Sequence, residues 1–398
     1  MKAEEYNPAL NLMGRRIRLA VIGGGPASFI GGMHRKAARL SDCYDIVAGT
    51  LSSDPKRSLE AGKKLGLSED RIYGHALELI TRESQRSDGA DVVAIMTPND
   101  SHYEYAMAAL DAGLDVICDK PMTNTLEEAI SLHSKVLETG LVFCLTHNYT
   151  GYPMVRQARG MVEEGDLGEI RLIQVEYVQG GKARGDDPDP GDPKTPWRYK
   201  PEKGGPSLVM GDIGTHAHNL LRYISCLEIT EVAAEAGHIV PGRVVDDYTG
   251  ALLRLSNGAR GSFWVTQAAA GMENSLKIRL SGTRGTLEWE QETPHRLIYK
   301  PLGGPWEIRT PGGSGSTTLG SHSTQIAAGH PEGFPSGFAN IYRDAAEAIA
   351  ARRSGKTARK ESCTYPKSKD GLAGVFFVKA VLDSSEKDSH WTRVPFPE

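Results

Sequence analysis

Residues 17–28 read Ile17-Arg18-Leu19-Ala20-Val21-Ile22-Gly23-Gly24-Gly25-Pro26-Ala27-Ser28. A short apolar run ends in three glycines, and a helical pattern follows over about 30–40. Such a strand, turn and helix suit a diphosphate. Gly23 permits the tight turn, and Gly25 lets the backbone come close to the ligand. Pro26 shapes the turn, and the helix N-terminus offers unpaired N–H groups to the phosphates. Ser28 stands where a third glycine often lies; it is small enough to pack, and its hydroxyl can reach a phosphate oxygen. Alone, the turn is a weak signal.

Its surroundings strengthen it. Strand-like segments at 44–51, 91–96, 115–118 and 141–145 alternate with helical patterns at 57–65, 101–112 and 125–138. Continuously apolar strands separated by helices imply a parallel sheet covered on both faces. The second strand ends at Ser52 and Ser53, where an acid normally holds the adenosine ribose. Lys56 and Arg57 follow closely. Serine with nearby cations removes the repulsion toward a 2′-phosphate, so NAD and NADP both remain open as cofactors. Asp54 is placed to cap the next helix.

The texture changes after residue 148. A helix is expected over 154–164 and a half-exposed strand over 169–178. A Gly- and Pro-rich loop should occupy 180–206. Alternating segments at 231–239, 248–255, 259–267, 276–281 and 285–290 suit an antiparallel, meander-like sheet. A second Gly-rich loop is expected at 303–333 and an amphipathic helix at 338–352. The fold class is therefore α/β: a doubly wound parallel Rossmann sheet over 16–148, then an α+β domain over 149–398 with an open, mainly antiparallel sheet. The second domain is expected to bind substrate and to mediate assembly.

Composition narrows the function. The chain has 398 residues, too many for one ordinary domain, with 39% hydrophobic and 24% charged residues. Net charge is −4, and no basic run or aromatic-basic array suggests a nucleic-acid partner. No apolar stretch is long enough to span a bilayer, and residues 1–16 lack a signal-like apolar core. No membrane partner is expected, and a cytoplasmic location follows. Five cysteines are scattered without paired spacing, which argues against both a disulfide framework and a zinc site. Asp186, Asp187, Asp189 and Asp192 crowd one loop, but interspersed prolines and the lack of a calcium-loop pattern read as solvated chain, with no metal expected.

Two further segments sit at carboxyl ends of parallel strands, where open α/β sheets place ligands. Thr97-Pro98-Asn99 follows the third strand, with His102 just beyond, and Asp119-Lys120-Pro121 follows the fourth. In the second domain come Trp197-Arg198, Gly204-Gly205 and Gly211-Asp212-Ile213-Gly214-Thr215-His216. In this order and spacing the chain resembles the Gfo/Idh/MocA family, named for glucose–fructose oxidoreductase, inositol dehydrogenase and a rhizopine catabolic protein. Asp119-Lys120-Pro121 is similar to that family's Glu-Lys-Pro signature with the acid one methylene shorter. Asp212 to His216 looks like its Asp-x-x-x-His segment. The resemblance implies a nicotinamide-dependent dehydrogenase of sugars or cyclitols, with Lys120 orienting and polarising the substrate, His216 as acid/base, and Asp212 binding substrate or tuning its neighbours. It also implies assembly through the open sheet as a homo-oligomer.

The residue types support that chemistry independently. Oxidising a carbinol releases a hydride and a hydroxyl proton, and histidine suits the proton. Asp212 and His216, four apart, share a helix face, which Asn219 joins while His218 points elsewhere. Lys120 is expected to reach them across an interdomain cleft and to stabilise alkoxide charge. His147-Asn148-Tyr149 ends the last strand of the first domain; Asn148 is expected at the cofactor and Tyr149 at the substrate. Lys182, Arg198 and His330 are further substrate candidates, with Arg198 also near nicotinamide. A pyranoside oxidised at C3, or an inositol, is the substrate expected from the resemblance. Two alternatives remain: a redox-neutral NAD-dependent glycosidase, and a dinucleotide-binding sensor without turnover.

Overall fold

The computed structural model describes residues 7–396, apart from 186, 187, 190 and 193. They form two compact units: 7–123, 127–151 and 334–371 in the first, and 124–126, 152–333 and 372–396 in the second. The first opens with α1 (Pro8–Met13), β1 (Ile17–Gly23), α2 (Phe29–Leu40), β2 (Tyr44–Thr50), α3 (Pro55–Lys64) and α4 (Ala76–Gln85). It continues with β3 (Val92–Met96), α5 (His102–Asp111), β4 (Asp115–Cys118), α6 (Leu126–Thr139) and β5 (Phe143–Leu145). Five parallel strands lie in the order β2-β1-β3-β4-β5. Every residue of β3, β4 and β5 is buried, as a sheet covered on both faces requires. The chain steps from β1 outward to β2 and then back to β3 on the other side. The carboxyl ends of β1 and β3 thus flank the switch point where such sheets bind ligands.

Local chemistry sets the helix bounds. α3 begins at Pro55 rather than at 57, because Asp54 Oδ1 accepts the Arg57 N–H at 2.9 Å and proline suits the first helical position. α4 lies in a stretch with no element expected from the sequence. Its Ala76, Leu79 and Ile80 are buried at helical spacing, and so is Glu83, whose carboxylate accepts from Arg71 Nε (3.1 Å), Tyr73 Oη (2.8 Å) and the Ala90 N–H (3.0 Å).

The second unit contains α7 (Pro153–Glu163), β6 (Ile170–Val178), α8 (Pro201–Gly204), α9 (Thr215–Ser225), β7 (Ile229–Gly237), β8 (Tyr248–Leu255) and β9 (Arg260–Thr266). It adds β10 (Ser275–Gly282), β11 (Gly285–Glu290), β12 (Leu297–Pro301), β13 (Glu307–Arg309), α10 (Thr318–Ser323) and β14 (Thr392–Arg393). These strands form a nine-stranded sheet in the order β13-β12-β11-β10-β6-β9-β8-β7-β14. It is not the simple meander expected. β6 inserts between β10 and β9 and runs parallel to β9, while the other pairs are antiparallel. One face buries Ile173, Val175, Phe263, Val265 and Leu280; the other leaves Leu172, Leu252 and Trp264 exposed. The segments expected as loops are partly ordered: 180–206 holds α8, and 303–333 holds β13 and α10, the latter capped by Thr317 Oγ1 on the Gly320 N–H.

Residues 334–371 depart from the division at 148/149. α11 (Phe334–Arg353) packs in the first unit, where Phe338, Ile341, Tyr342, Ala345 and Ile349 share one core with Ile17, Leu19, Met33 and Ala37. Its apolar residues cover most of its circumference, so it is a core helix rather than a surface one. Its C-terminal cations meet carboxylates at the feet of two strands: Arg353 Nη1 lies 3.2 Å from Asp91 Oδ1, and Arg352 Nη2 lies 2.7 Å from Asp115 Oδ2. The last helix, α12, spans Ser368–Ser385. No helix among the described residues is long and apolar enough to cross a membrane.

The approach of α2 to the turn after β1 is a backbone contact. A Cβ on Gly31 would stand 2.2 Å from the Gly24 carbonyl oxygen, whereas one on Gly32 meets nothing within 4 Å. Gly31→Ala should therefore lower the unfolding free energy by about 1–3 kcal/mol. Gly32→Ala should raise it by about 0.5–1 kcal/mol through helix propensity. Urea denaturation of the two variants checks both signs.

Candidate active site

The glycine turn is shaped as a cradle. Gly23 and Gly24 adopt φ +82° and +61°, which L side chains rarely do. A Cβ on Gly23 would lie 2.7 Å from Thr97 Cγ2, and one on Gly25 would lie 2.8 Å from the Leu51 carbonyl oxygen. Ser28 caps α2, its Oγ accepting the Gly31 N–H at 3.1 Å. The close helix approach expected of a third glycine is made three residues later, by Gly31. Arg35 Nη1 donates to the Gly24 carbonyl from beneath the turn. Pro26 is exposed at the turn's tip. At the end of β2, Ser52 Oγ accepts the Asp54 N–H at 3.1 Å. Ser53 and Arg57 are exposed, with Arg57 Nε 3.9 Å from Asp54 Oδ2.

Asp119 anchors the Asp-Lys-Pro segment. Its Oδ1 accepts the Lys120 N–H at 2.9 Å and the Thr146 hydroxyl at 3.0 Å, and His34 Nε2 lies 4.0 Å away. His34 Nδ1 in turn stands 2.7 Å from Tyr342 Oη. Burial alone would push the Asp119 carboxyl up, but the imidazole of His34, with the charges of Lys120 and His102, holds it well below the usual carboxylate range. The Lys120–Pro121 peptide is cis. His102 is 1% exposed, and both ring nitrogens face backbone: Nδ1 is 2.8 Å from the Pro121 oxygen and Nε2 is 3.1 Å from the Thr97 oxygen. It ties the Thr97-Pro98-Asn99 turn to the Asp119-Lys120-Pro121 turn instead of facing outward. Thr97 and Pro98 are half-buried, and Asn99 is buried. Beyond β5, Asn148 is 3% exposed and its Nδ2 has no protein partner; the Tyr149 ring packs 6.1 Å from Phe334. A cradle that excludes side chains and a buried amide without a protein partner both fit a dinucleotide laid along this edge.

The second unit gathers a polar cluster. Met210–Gly214 winds as a π-helical turn ahead of α9, a form often found at functional sites. It carries Asp212, and His216 follows in the first turn of α9. Asp246 holds the head of this segment, accepting from Ser207 Oγ and from the Leu208 N–H. Burial pushes the Asp246 carboxyl up, and those hydrogen bonds only partly offset it. Gln267 Nε2 donates to Asp212 Oδ2 at 2.8 Å, and Lys182 Nζ lies 3.8 Å from the same oxygen. The Tyr177 ring stands 6.5 Å from that of His216. His218 turns away to stack on Phe377 at 4.5 Å, and Asn219 is buried.

Other expected residues lie at the periphery. Arg198 is exposed and stacks 4.9 Å over Trp197. His330 is exposed, its Nδ1 3.0 Å from the Ala327 oxygen; in the same segment Glu332 is the buried anchor, accepting the Gln325 N–H at 3.0 Å. Asp186 and Asp187 lie outside the described residues, while Asp189 and Asp192 accept N–H groups of their own loop. No group of three or more His, Cys, Asp or Glu among the described residues is placed to hold a metal ion. The sequence reading missed Gln179, Gln267, Asn274 and Tyr177. Amides at strand ends carry no motif, and only the register of β6 against its two neighbours, β9 and β10, brings them together.

A parallel sheet opening on a glycine cradle, followed by a unit with a Lys–Asp–His polar cluster, defines a dinucleotide-dependent oxidoreductase. Residues 17–157 match the oxidoreductase family with an NAD-binding Rossmann fold, and 155–288 match the GFO/IDH/MocA C-terminal domain. The chain belongs to the Gfo/Idh/MocA oxidoreductase family. It is 44% identical to an oxidoreductase from Sinorhizobium meliloti, over 95% of this chain and 99% of that one, with a TM-score of 0.86. An inositol dehydrogenase homolog from Azotobacter vinelandii, solved with NAD+, is 32% identical over 98% and 100%, with a TM-score of 0.89. Levoglucosan dehydrogenase of Pseudarthrobacter phenanthrenivorans is 27% identical over 96% and 99%. The enzyme is thus an oxidoreductase of nicotinamide dinucleotides.

The depressed Asp119 carboxyl makes a pH prediction. Its folded value lies below the unfolded one, so its stabilisation is present above about pH 4 and is lost as pH falls through the folded value. Asp119→Asn should lower the unfolding free energy by about 2–4 kcal/mol at neutral pH. The gap to wild type should close below about pH 4 in denaturant titrations across pH.

Proposed function

We propose that the enzyme oxidises a secondary hydroxyl of a sugar, glycoside or inositol, with C3 of a pyranoside as the leading position. The observation that carries this reading is the polar cluster around Asp212, where a carboxylate, an ammonium and several amides offer complementary partners to a hydroxyl-rich ligand. The inositol dehydrogenase homolog and levoglucosan dehydrogenase among its relatives support the same substrate class.

Gly23, Gly25, Pro26 and Ser28 would hold the pyrophosphate, and Ser52, Ser53 and Arg57 the adenosine ribose. Thr97, Pro98, Asn99, Asn148 and Arg198 would line the nicotinamide end, with His102 and Asp119 holding the turns around it. A bound nicotinamide supplies the acceptor for the hydride leaving the carbinol carbon. Lys120 donates a hydrogen bond to the hydroxyl oxygen and stabilises the alkoxide charge that develops there. His216 takes the hydroxyl proton on a ring nitrogen. Asp212 accepts from a neighbouring substrate hydroxyl, and Tyr149 and His330 complete the substrate contacts. A homo-oligomer formed through the open sheet would cover Leu172, Leu252 and Trp264, which stand 57%, 58% and 42% exposed on one face.

Purified protein should accumulate reduced cofactor with NAD or NADP and at least one member of a panel of inositols, sugars and glycosides. His216→Asn and Lys120→Ala should each lower kcat/KM by about 10²–10⁴-fold. Aglycone release without reduced cofactor would instead identify a redox-neutral glycosidase. For assembly, Leu172→Glu combined with Trp264→Glu should convert the oligomer to monomer in light scattering; an unchanged mass would place the interface elsewhere.

A further inference from the structure

We infer that Gln267 and Lys182 are positioning residues that fix the orientation of the Asp212 carboxylate. Asp212's contact with substrate rests on the reading proposed above; the clamp itself stands on geometry. β6 and β9 run parallel, so their carboxyl ends emerge side by side, and their pairing continues beyond the strands: Gln179 N–H donates to the Thr266 oxygen and Lys182 N–H to the Gln267 oxygen, each at 2.9 Å. An antiparallel pair would send these ends to opposite edges of the sheet.

The partners of Gln267 determine which way its amide points. An ammonium only donates, so Oε1 faces Lys182 Nζ; a carboxylate only accepts, so Nε2 faces Asp212 Oδ2. The same Nε2 reaches Gln179 Oε1 at 2.9 Å, and Gln179 Nε2 donates to Asn274 Oδ1 at 2.7 Å. Asn274 Oδ1 also accepts the Tyr177 hydroxyl at 2.7 Å. A continuous chain of hydrogen bonds therefore links Asp212 to the tyrosine beside His216, with Gln267 Nε2 donating to both of its neighbours and Asn274 Oδ1 accepting from both of its own. Gln267 is 3% exposed and cannot exchange these partners for water, while the Asp212 side chain is 30% exposed and open to a ligand. The Lys182 loop is itself anchored: Arg243 Nη2 donates to the Arg184 oxygen at 2.7 Å, and Arg243 Nη1 pairs with Asp247 Oδ2 at 2.9 Å with both side chains fully buried. Only a side chain that accepts from Lys182 and donates to Asp212 at once can serve at position 267.

The test uses the full-length enzyme with its nicotinamide cofactor, and myo-inositol and levoglucosan as probes. Gln267→Met and Lys182→Met should each raise KM about tenfold with kcat changed by less than about threefold. Lys182→Arg, which keeps the donor, should return KM to within about threefold of wild type, whereas Gln267→Glu, which cannot donate, should behave as Gln267→Met does. KM unchanged in both methionine variants, or a loss confined to kcat, would overturn the inference. A substrate-free readout separates it from the polyol reading. In thermal unfolding, Gln267→Glu and Asp212→Asn should each lower Tm, and the double variant should lose less than the sum, because the carboxylate at 267 then faces an amide. Strict additivity would overturn the clamp. Coupling in a protein that turns over no polyol would support the clamp and overturn the polyol reading alone.

Discussion

One carboxylate, mostly withdrawn from solvent, organises the first unit. Asp119 sits at the carboxyl end of β4, where Lys120 N–H and the Thr146 hydroxyl both donate to its Oδ1. The imidazole of His34 on α2 supplies nearby positive character, and a buried ring must place its other nitrogen as well. Tyr342 of α11 meets that need at 2.7 Å. This explains why a helix about 300 residues after His34 in the chain completes the core around β1 and α2. An acid one methylene shorter than glutamate still reaches Lys120 N–H and Thr146 because both lie immediately beside it. The chain therefore spends two strand ends, two packed helices and the side chains of Thr146, His34 and Tyr342 on the orientation of one Lys-Pro turn.

The second unit solves a related problem differently. Asp212 is only half-buried, so its direction comes from neighbours that are themselves held in place. Asp246 holds the head of its helical segment, and the buried Arg243–Asp247 pair holds the loop that carries Lys182. Adjacent residues at the start of β8 thus secure both sides of the cluster. The insertion of β6 beside β9 is the topological condition for this, since it brings the loop and Gln267 to the same edge.

The parallel sheet was legible because its signal is local: apolar runs of strand length, each closed by glycine, proline or a polar turn. β1, β3 and β4 lie within one or two residues of their expected places. The motifs at Gly23, Thr97, Asp119 and Asp212 were legible for the same reason. What sequence reasoning missed depends on distance along the chain. α11 was read as a surface helix of the second domain, because its alanines resemble a weak amphipathic face until the helix it packs against is known. β6 was expected as a half-exposed strand, but its place between β10 and β9 was not, because pairing partners cannot be read from alternation. Gln179, Gln267 and Asn274 carry no pattern at all.

Polar residues in the motifs divide by burial into two kinds. His102 spends both ring nitrogens on the Thr97 and Pro121 carbonyl oxygens at 1% exposure, which leaves its ring no atom with which to recognise a ligand. Asp119, whose side chain is 13% exposed, commits its Oδ1 to Lys120 N–H and Thr146. Lys120 and Asp212, the groups proposed to meet the substrate, are only half-buried and rest on other side chains as anchors. A charged group that must change partners during turnover cannot also be the group that fixes its own loop. Motif spacing therefore records two demands at once: where the groups proposed to react stand, and how far away the residues that aim them are able to be.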